Sequence, residues 1–385
     1  MKNYLSIFAF LGLILNVNAQ KPLEIRFQPD SSLYVYKVNS NPVEVYTAVL
    51  QNIAIVNISS DSLTVDKLTI FAMKDSLVIQ KIFIGRKKLN NSAQRINSFQ
   101  EKDKLDLLEY KLQRNLYLKG IQFSPTTTLQ KNNSIVISAT PFLFSVLPDK
   151  IIVTAHFFNN EGKETTVSKE IKLMEYKSPN QYDFPLKGSW SAFGAPTLNS
   201  HHRWVSIQEF AYDFLKMDKK GNTHKKNGSK FEHYYAYGEP IYSIGNGKVV
   251  SVLNTVKESS LLLNNDVESQ DQRMNKIKTL QNELLKKGFE YILGNHVIIE
   301  HPNGEYSYYM HLKTESVNVK VGDNITKGQQ IGKLGQSGMS SQPHLHFQLS
   351  DSPKILESRC LPIVFDNIGD NEWNILYGDI IKTEE

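Results

Sequence analysis

Near the C-terminal end of this chain, His344 and His346 sit in the run Ser340-Ser341-Gln342-Pro343-His344-Leu345-His346-Phe347-Gln348-Leu349. Strand alternation turns His344, His346 and Gln348 one way and Leu345, Phe347 and Leu349 the other. The apolar face has a core to sit on, so two imidazoles are presented together on the opposite face. Two histidines close enough to share an ion make a metal or catalytic site the first expectation.

Nine of the ten histidines fall after residue 200, and three further candidates lie among them. Asp213 sits in Phe210-Ala211-Tyr212-Asp213-Phe214, where alternation separates it from the three aromatic rings. A carboxylate in such a strand needs a partner, because an unpaired buried charge is costly. A lysine or backbone amides would serve; with histidines nearby, a metal is the expected partner. His201 or His202 could supply a ligand from the loop ahead of that strand, against the plain alternative of a surface pair. His311 ends Tyr306-Ser307-Tyr308-Tyr309-Met310-His311-Leu312. Alternation places it on the face of Tyr309, with Tyr308, Met310 and Leu312 opposite. Two histidines and one carboxylate form a zinc set that leaves a position open for water. Zinc lowers the pKa of that water and polarises a carbonyl oxygen. A remaining histidine can take the water's proton or stabilise an oxyanion, so the parts for hydrolysing an amide are present.

The elements that must position these residues fall into two halves. From residue 23 to about 176 the chain is β-rich, with candidate strands at 43–50, 53–57, 68–72, 77–84, 134–139, 150–157 and 166–173. Turn signals between them suggest a β-sandwich of immunoglobulin-like type. One helix interrupts it over 94–112, with apolar positions at Ile96, Phe99, Leu105, Leu108 and Leu112. His156 reads as structural. Ser178-Pro179-Asn180-Gln181 reads as a linker, which divides the chain into domains at 20–178 and 185–385. The second domain is again mostly strands, at 210–215, 248–253, 296–300, 306–311 and 344–349. Two segments look inserted. Residues 216–233 are lysine-rich and read either as a solvated loop or as a basic rim for an anionic polymer. A helix at about 264–288 carries Met274, Ile277, Leu280, Leu284 and Leu285 on one stripe and ends at Gly288. It packs on a sheet edge or lines a groove.

The composition, 40% hydrophobic and 22% charged over 385 residues, is that of a globular chain with room for two cores. A net charge of +5 is too mild and too dispersed to suggest a nucleic-acid partner. Lys2, an apolar run from Leu5 to Leu15 and Val17-Asn18-Ala19 read as a signal peptide over 1–19, giving a mature start at Gln20. That run is short for a bilayer span, and no later stretch approaches one, so a mature chain without a transmembrane segment is expected, exported to a periplasm or to the outside. Cys360 is the single cysteine, which rules out an internal disulfide; it reads as a small buried hydrophobe.

An ordered series carries a family resemblance. It runs through Gly238-Glu239-Pro240, Gly247-Lys248-Val249-Val250, Gly294-Asn295-His296-Val297, Tyr309-Met310-His311-Leu312, Val321-Gly322-Asp323, Gly335-Gln336-Ser337-Gly338 and Pro343-His344-Leu345-His346-Phe347. In this order it resembles the M23 zinc metallopeptidases of the lysostaphin or LytM type, from near Trp190 to Leu349. The resemblance implies a mainly antiparallel β domain with a groove, and cleavage of peptide stems or cross-bridges of bacterial peptidoglycan. It implies zinc held by His202, Asp213 and His346, His344 as general base, and His311 as the residue that steadies the tetrahedral intermediate. The family's usual first motif sets histidine and aspartate four apart with a glycine between. Here His202 and Asp213 are eleven apart without that glycine, which resembles a long-spaced variant and points to His202 rather than His201. His296 and His301 fall outside the pattern and read as structural. Some relatives lose ligands and act as non-catalytic activators of other wall hydrolases. That role, or a peptidase acting on a non-wall protein, is the alternative function.

Overall fold

The structure is a computed structural model that describes residues 21–40, 43–102, 104–263, 268–368 and 374–384. The expected signal peptide and residues 264–267 of the expected insertion lie outside them.

The chain is mainly β. In the first half, one sheet runs Leu23–Gln28, Val43–Asn57, Asn133–Phe144 and Gln122–Phe123, with Tyr36–Ser40 also paired to Val43–Asn57. The other runs Ser32–Tyr34, Glu164–Met174, Lys150–Phe158, Leu63–Lys74 and Leu77–Gly85. Alternate residues of both, among them Ile25, Leu50 and Ile53 against Leu68, Ile70 and Val153, make one shared apolar cluster.

Two expectations need correction here. Residues 43–50 and 53–57 belong to one 15-residue strand, Val43–Asn57. The polar pair Gln51 and Asn52 makes no turn. Both side chains are buried and bonded, Gln51 Nε2 to the Arg203 carbonyl at 2.9 Å and Asn52 to the Gln28 amide oxygen. The helix expected over 94–112 is two helices, Arg86–Glu101 and Leu105–Leu112. The first starts earlier because its opening turns carry few apolar residues and so leave little periodic signal. Leu89 and Ala93 face the sandwich cluster, whereas Ile96, Leu108 and Leu112 form a separate one.

The second half is built on a nine-stranded sheet. Its order is Asn324–Ile325, Gly247–Leu253, Asn295–His301, Glu305–Leu312, Leu345–Ser350, Tyr212–Leu215, Ser189–Gly194 and Ile380–Lys382, with Cys360–Leu361 paired to Leu345–Ser350. These pairings are antiparallel. Leu345, Phe347 and Leu349 are fully buried, as alternation requires when the other face holds the polar set. The inserted helix is Gln270–Leu285, opened by a capping box in which Ser269 and Gln272 bond reciprocally. Its Leu280 and Leu284 are buried beside Ile292 and Met339, while Met274 is exposed.

The two halves are in contact. Tyr36 packs with Phe210 and Cys360, and its hydroxyl lies 3.1 Å from that of Tyr212. The Arg359 guanidinium lies 3.5 Å from the Tyr34 ring centroid and bonds the Ser32 carbonyl at 2.7 Å. The linker is closed by the buried Glu305 carboxylate, which accepts from Tyr176, Ser178, Asn180 and Tyr182. Burial raises the pKa of the Cys360 thiol, in keeping with a packing role. Among the described residues, no helix is long and apolar enough to cross a membrane.

Candidate metal centre

Sheet pairing sets the centre of the site. Asp213 lies opposite His346, which on its other side lies opposite Met310, the residue before His311. Asp213 Oδ2 is 2.8 Å from His202 Nε2. Its Oδ1 is 3.0 Å from His346 Nδ1 and 3.4 Å from His344 Nε2. The His311 ring centroid is 4.9 Å from that of His344 and 5.9 Å from that of His346. The five residues singled out from the sequence are thus brought together. His201 is exposed and adjoins them; one nitrogen of its ring lies within 4.8 Å of ligating atoms of both His202 and Asp213. His296 and His301 are turned elsewhere, bonded to the carbonyls of Gly294 and Asn246. His156 lies in the first half, beside Thr69 and Glu164.

The outer hydrogen bonds of the imidazoles decide what their inner nitrogens can do. His344 Nδ1 is 2.7 Å from the Gln342 carbonyl, and His311 Nδ1 is 2.8 Å from the Ser337 carbonyl. A carbonyl only accepts, so each Nδ1 carries a proton there and the neutral ring leaves Nε2 bare. His202 Nδ1 likewise faces Gln208 Oε1 at 3.2 Å, and His346 Nε2 faces Gln348 Oε1 at 3.2 Å. The Gln348 amide is oriented by its own NH2 group, which donates to Ile207 O at 2.9 Å and Ser350 Oγ at 2.8 Å. His202, His344 and His346 therefore turn lone pairs toward a carboxylate. Lone pairs and a carboxylate at 2.8 to 3.4 Å repel unless protons or a cation stand between them. The donor set of imidazole nitrogen and carboxylate oxygen fits zinc, with outer partners of the kind that orient metal-bound histidines.

The charge balance has the same origin. Burial alone would raise Asp213, but the positive potential of His202 and His344 outweighs it and holds the carboxyl well below its usual range. Burial lowers His346 and, with His344, lowers His311 far below the ordinary imidazole value. His201 keeps an exposed edge, but partial burial and then the charge of His202 push it down to about 4. His344 alone moves upward: burial lowers it, and the Asp213 carboxylate more than offsets this.

His311 departs from the expected alternation. It does not share the face of Tyr309; it opens onto the metal centre together with Met310, while Tyr309 and Leu312 both face the core. The cause is local. His311 has φ +63, a left-handed conformation uncommon for a residue with a side chain, and the pairing with Asn295–His301 shifts register at this point. Gly294 and Gly338 make room for the bend. A Cβ on Gly338 would stand 2.4 Å from the Gly294 nitrogen, so the two backbones touch and hold Ser337 against His311.

Asp213 and the histidines open on a cavity of about 390 Å³. Ile277, Gln281, Leu285 and Phe289 line it from the insertion, and Leu107 and Tyr110 from the Leu105–Leu112 helix of the first half. The insertion thus both packs on the domain and lines the groove. Gln208, Gln348, Ser337 and Tyr110 were not singled out in the sequence as site residues. Gln348 shares the His346 face by alternation, Ser337 lies inside a recognised motif, and Gln208 lies inside the long-spaced His202–Asp213 segment; nothing local marks Tyr110.

Residues 279–356 match Peptidase family M23. The chain carries an M23 peptidase domain. The chain is 25% identical over 205 residues to the peptidoglycan DD-endopeptidase ShyB of Vibrio cholerae, covering 49% of this chain and 37% of that one. It is 48% identical over 56 residues to the lysostaphin of Staphylococcus simulans, covering 14% and 11%. The chain therefore spans well under half the length of either relative. The solved catalytic domain of lysostaphin from Staphylococcus simulans aligns with 45% of this chain and 88% of its own at 22% identity, with a TM-score of 0.25.

Proposed function

We propose that this M23 chain is a zinc-dependent endopeptidase that hydrolyses peptide bonds in peptidoglycan stems or cross-bridges. The observation that carries the reading is the set of bare imidazole nitrogens turned onto Asp213, each fixed from behind by a hydrogen bond. The relative ShyB, named a peptidoglycan DD-endopeptidase, supports the substrate class. His202 Nε2, Asp213 and His346 Nδ1 would hold zinc, which when bound supplies a Lewis acid and lowers the pKa of water. His344, with Nδ1–H committed to Gln342, has Nε2 free to take a proton from the attacking water and return it to the leaving amine. His311, anchored at Ser337, is proposed to steady the tetrahedral intermediate that forms at the scissile carbonyl. The apolar cavity walls limit the water that competes for these hydrogen bonds.

Residues 20–178 and 185–385 are proposed as the two domains. Residues 1–19 are proposed as an export signal, with the mature chain periplasmic or extracellular. The test is digestion of defined muropeptides by the mature protein, with fragments identified by mass and zinc content measured in parallel. Fragments from cleaved amides with about one zinc per chain are expected. Bound zinc without cleavage of any peptide would instead assign a non-catalytic activator of other wall hydrolases, and cleavage of proteins but not muropeptides a non-wall peptidase.

A further inference from the structure

Asp213 and His346 are held by the sheet, on neighbouring strands in direct register. His202 is not. It lies on a loop of two short 3-10 turns, His202–Trp204 and Ser206–Gln208, and a ligand there needs outside support. That support comes largely from the first half of the chain. Gln208 Oε1 accepts both His202 Nδ1–H at 3.2 Å and the Tyr110 hydroxyl at 2.9 Å. Tyr110 belongs to the Leu105–Leu112 helix, and its ring lies 5.8 Å from that of Phe289, at the end of the insertion. On the other side of His202, Arg203 is fully buried. It bonds Glu209 at 2.7 Å and donates to the Thr47 carbonyl at 3.1 Å, while its own carbonyl accepts from Gln51 at 2.9 Å. Thr47 and Gln51 both lie on the Val43–Asn57 strand.

We propose that Gln208 and Tyr110 are positioning residues for His202, so that the first half of the chain completes the metal centre of the second. The proposal rests on His202 being a zinc ligand. The Tyr110–Gln208–His202 relay fixes the ring so that Nε2 points at Asp213. The buried Arg203–Glu209 pair fastens the rest of the loop to the first-half sheet. The long His202–Asp213 spacing is the reason for the arrangement. A histidine close to the aspartate along the chain could be braced by the same strand; this one is braced by another domain.

The test is zinc affinity of the full-length mature protein, measured by competition with a chromophoric chelator, with thermal unfolding of each metal-free variant as a control. Gln208→Leu is expected to weaken zinc binding by about 10- to 100-fold, the usual cost of losing a ligand's outer partner. Gln208→Glu restores it, because a carboxylate accepts the same two bonds. Tyr110→Phe, which removes one hydroxyl from the other half of the molecule, is expected to weaken binding by about two- to tenfold. Wild-type affinity in both Gln208→Leu and Tyr110→Phe would overturn the proposal. If Gln208→Leu does not fold, Tyr110→Phe decides alone. Failure of the wild-type protein to bind zinc, or zinc binding that survives His202→Ala, would overturn the ligand assignment itself.

Discussion

Gly194 offers a direct test of the Asp213 carboxylate through a residue that carries no chemistry. It is buried on the Ser189–Gly194 strand and pairs with Asp213 where the register shifts. A methyl group on Gly194 would stand 2.8 Å from Asp213 Oδ2 and 3.0 Å from its Cβ and Cγ. Ordinary contact begins at 3.4 Å, so the carboxylate would have to move by about 0.6 Å. The backbone gives little, because Tyr212 and Phe214 on either side of Asp213 are fully buried. The displacement therefore falls on the carboxylate, whose oxygens lie 2.8 Å from His202 and 3.0 Å from His346. Overpacking of this kind costs roughly 1–3 kcal/mol. A shift approaching 1 Å at a reacting centre costs about 100-fold. Gly194→Ala is thus expected to lower zinc affinity by about 10- to 100-fold and hydrolysis by at least as much. Chelator competition and hydrolysis of a defined muropeptide, read beside thermal unfolding, supply the numbers. A variant with wild-type zinc affinity and turnover would refute the geometry, since Asp213 would then be free to move or would not be a ligand.

His346→Ala should lose zinc and all activity, whereas His311→Ala should keep near-stoichiometric zinc yet lose about 100-fold or more in rate, as removal of an oxyanion donor does. Normal turnover in His311→Ala would end its assigned role. For the metal-free protein, burial lowers the pKa of His296, His301, His311 and His346, and only His344 is raised. As pH falls through about 6.5 the unfolded chain takes up protons that the folded chain resists, so each lowered histidine removes up to about 1.4 kcal/mol per pH unit until its folded pKa is reached. His344 acts in the opposite sense. The melting temperature should therefore fall between pH 7 and pH 5, and a flat or rising profile would contradict the buried, neutral state of these rings. Finally, Glu305→Ala removes the acceptor of four hydrogen bonds at the linker. A loss of about 3 kcal/mol in denaturant unfolding is expected, given roughly 1.5–3 kcal/mol for a bond to a charged group and some relaxation by water. A loss below about 0.5 kcal/mol, the level of an ordinary surface change, would mean that the linker is not held there.

What the sequence by itself determined is local and periodic. Period-2 alternation is enough to put His344 and His346 on one face, to bury Leu345 and Phe347 behind them, and to separate Asp213 from its aromatic neighbours. The insertion helix is legible in the same way, because an apolar stripe and a terminal glycine are properties of a few consecutive turns. Only the tertiary structure decided the rest. The bend at His311 depends on Gly294 meeting Gly338 across 44 positions of sequence, so alternation alone turned that side chain the wrong way. The split into Arg86–Glu101 and Leu105–Leu112 lets Ile96 of the first helix and Leu108 and Leu112 of the second close on one cluster, and the uninterrupted Val43–Asn57 strand follows from Gln51 finding a carbonyl in the other half. The Gln208–Tyr110 relay behind His202 joins residues 98 apart. Chain distance sets no limit on which polar groups meet. Burial requires only that they be satisfied, and the topology chooses the partner.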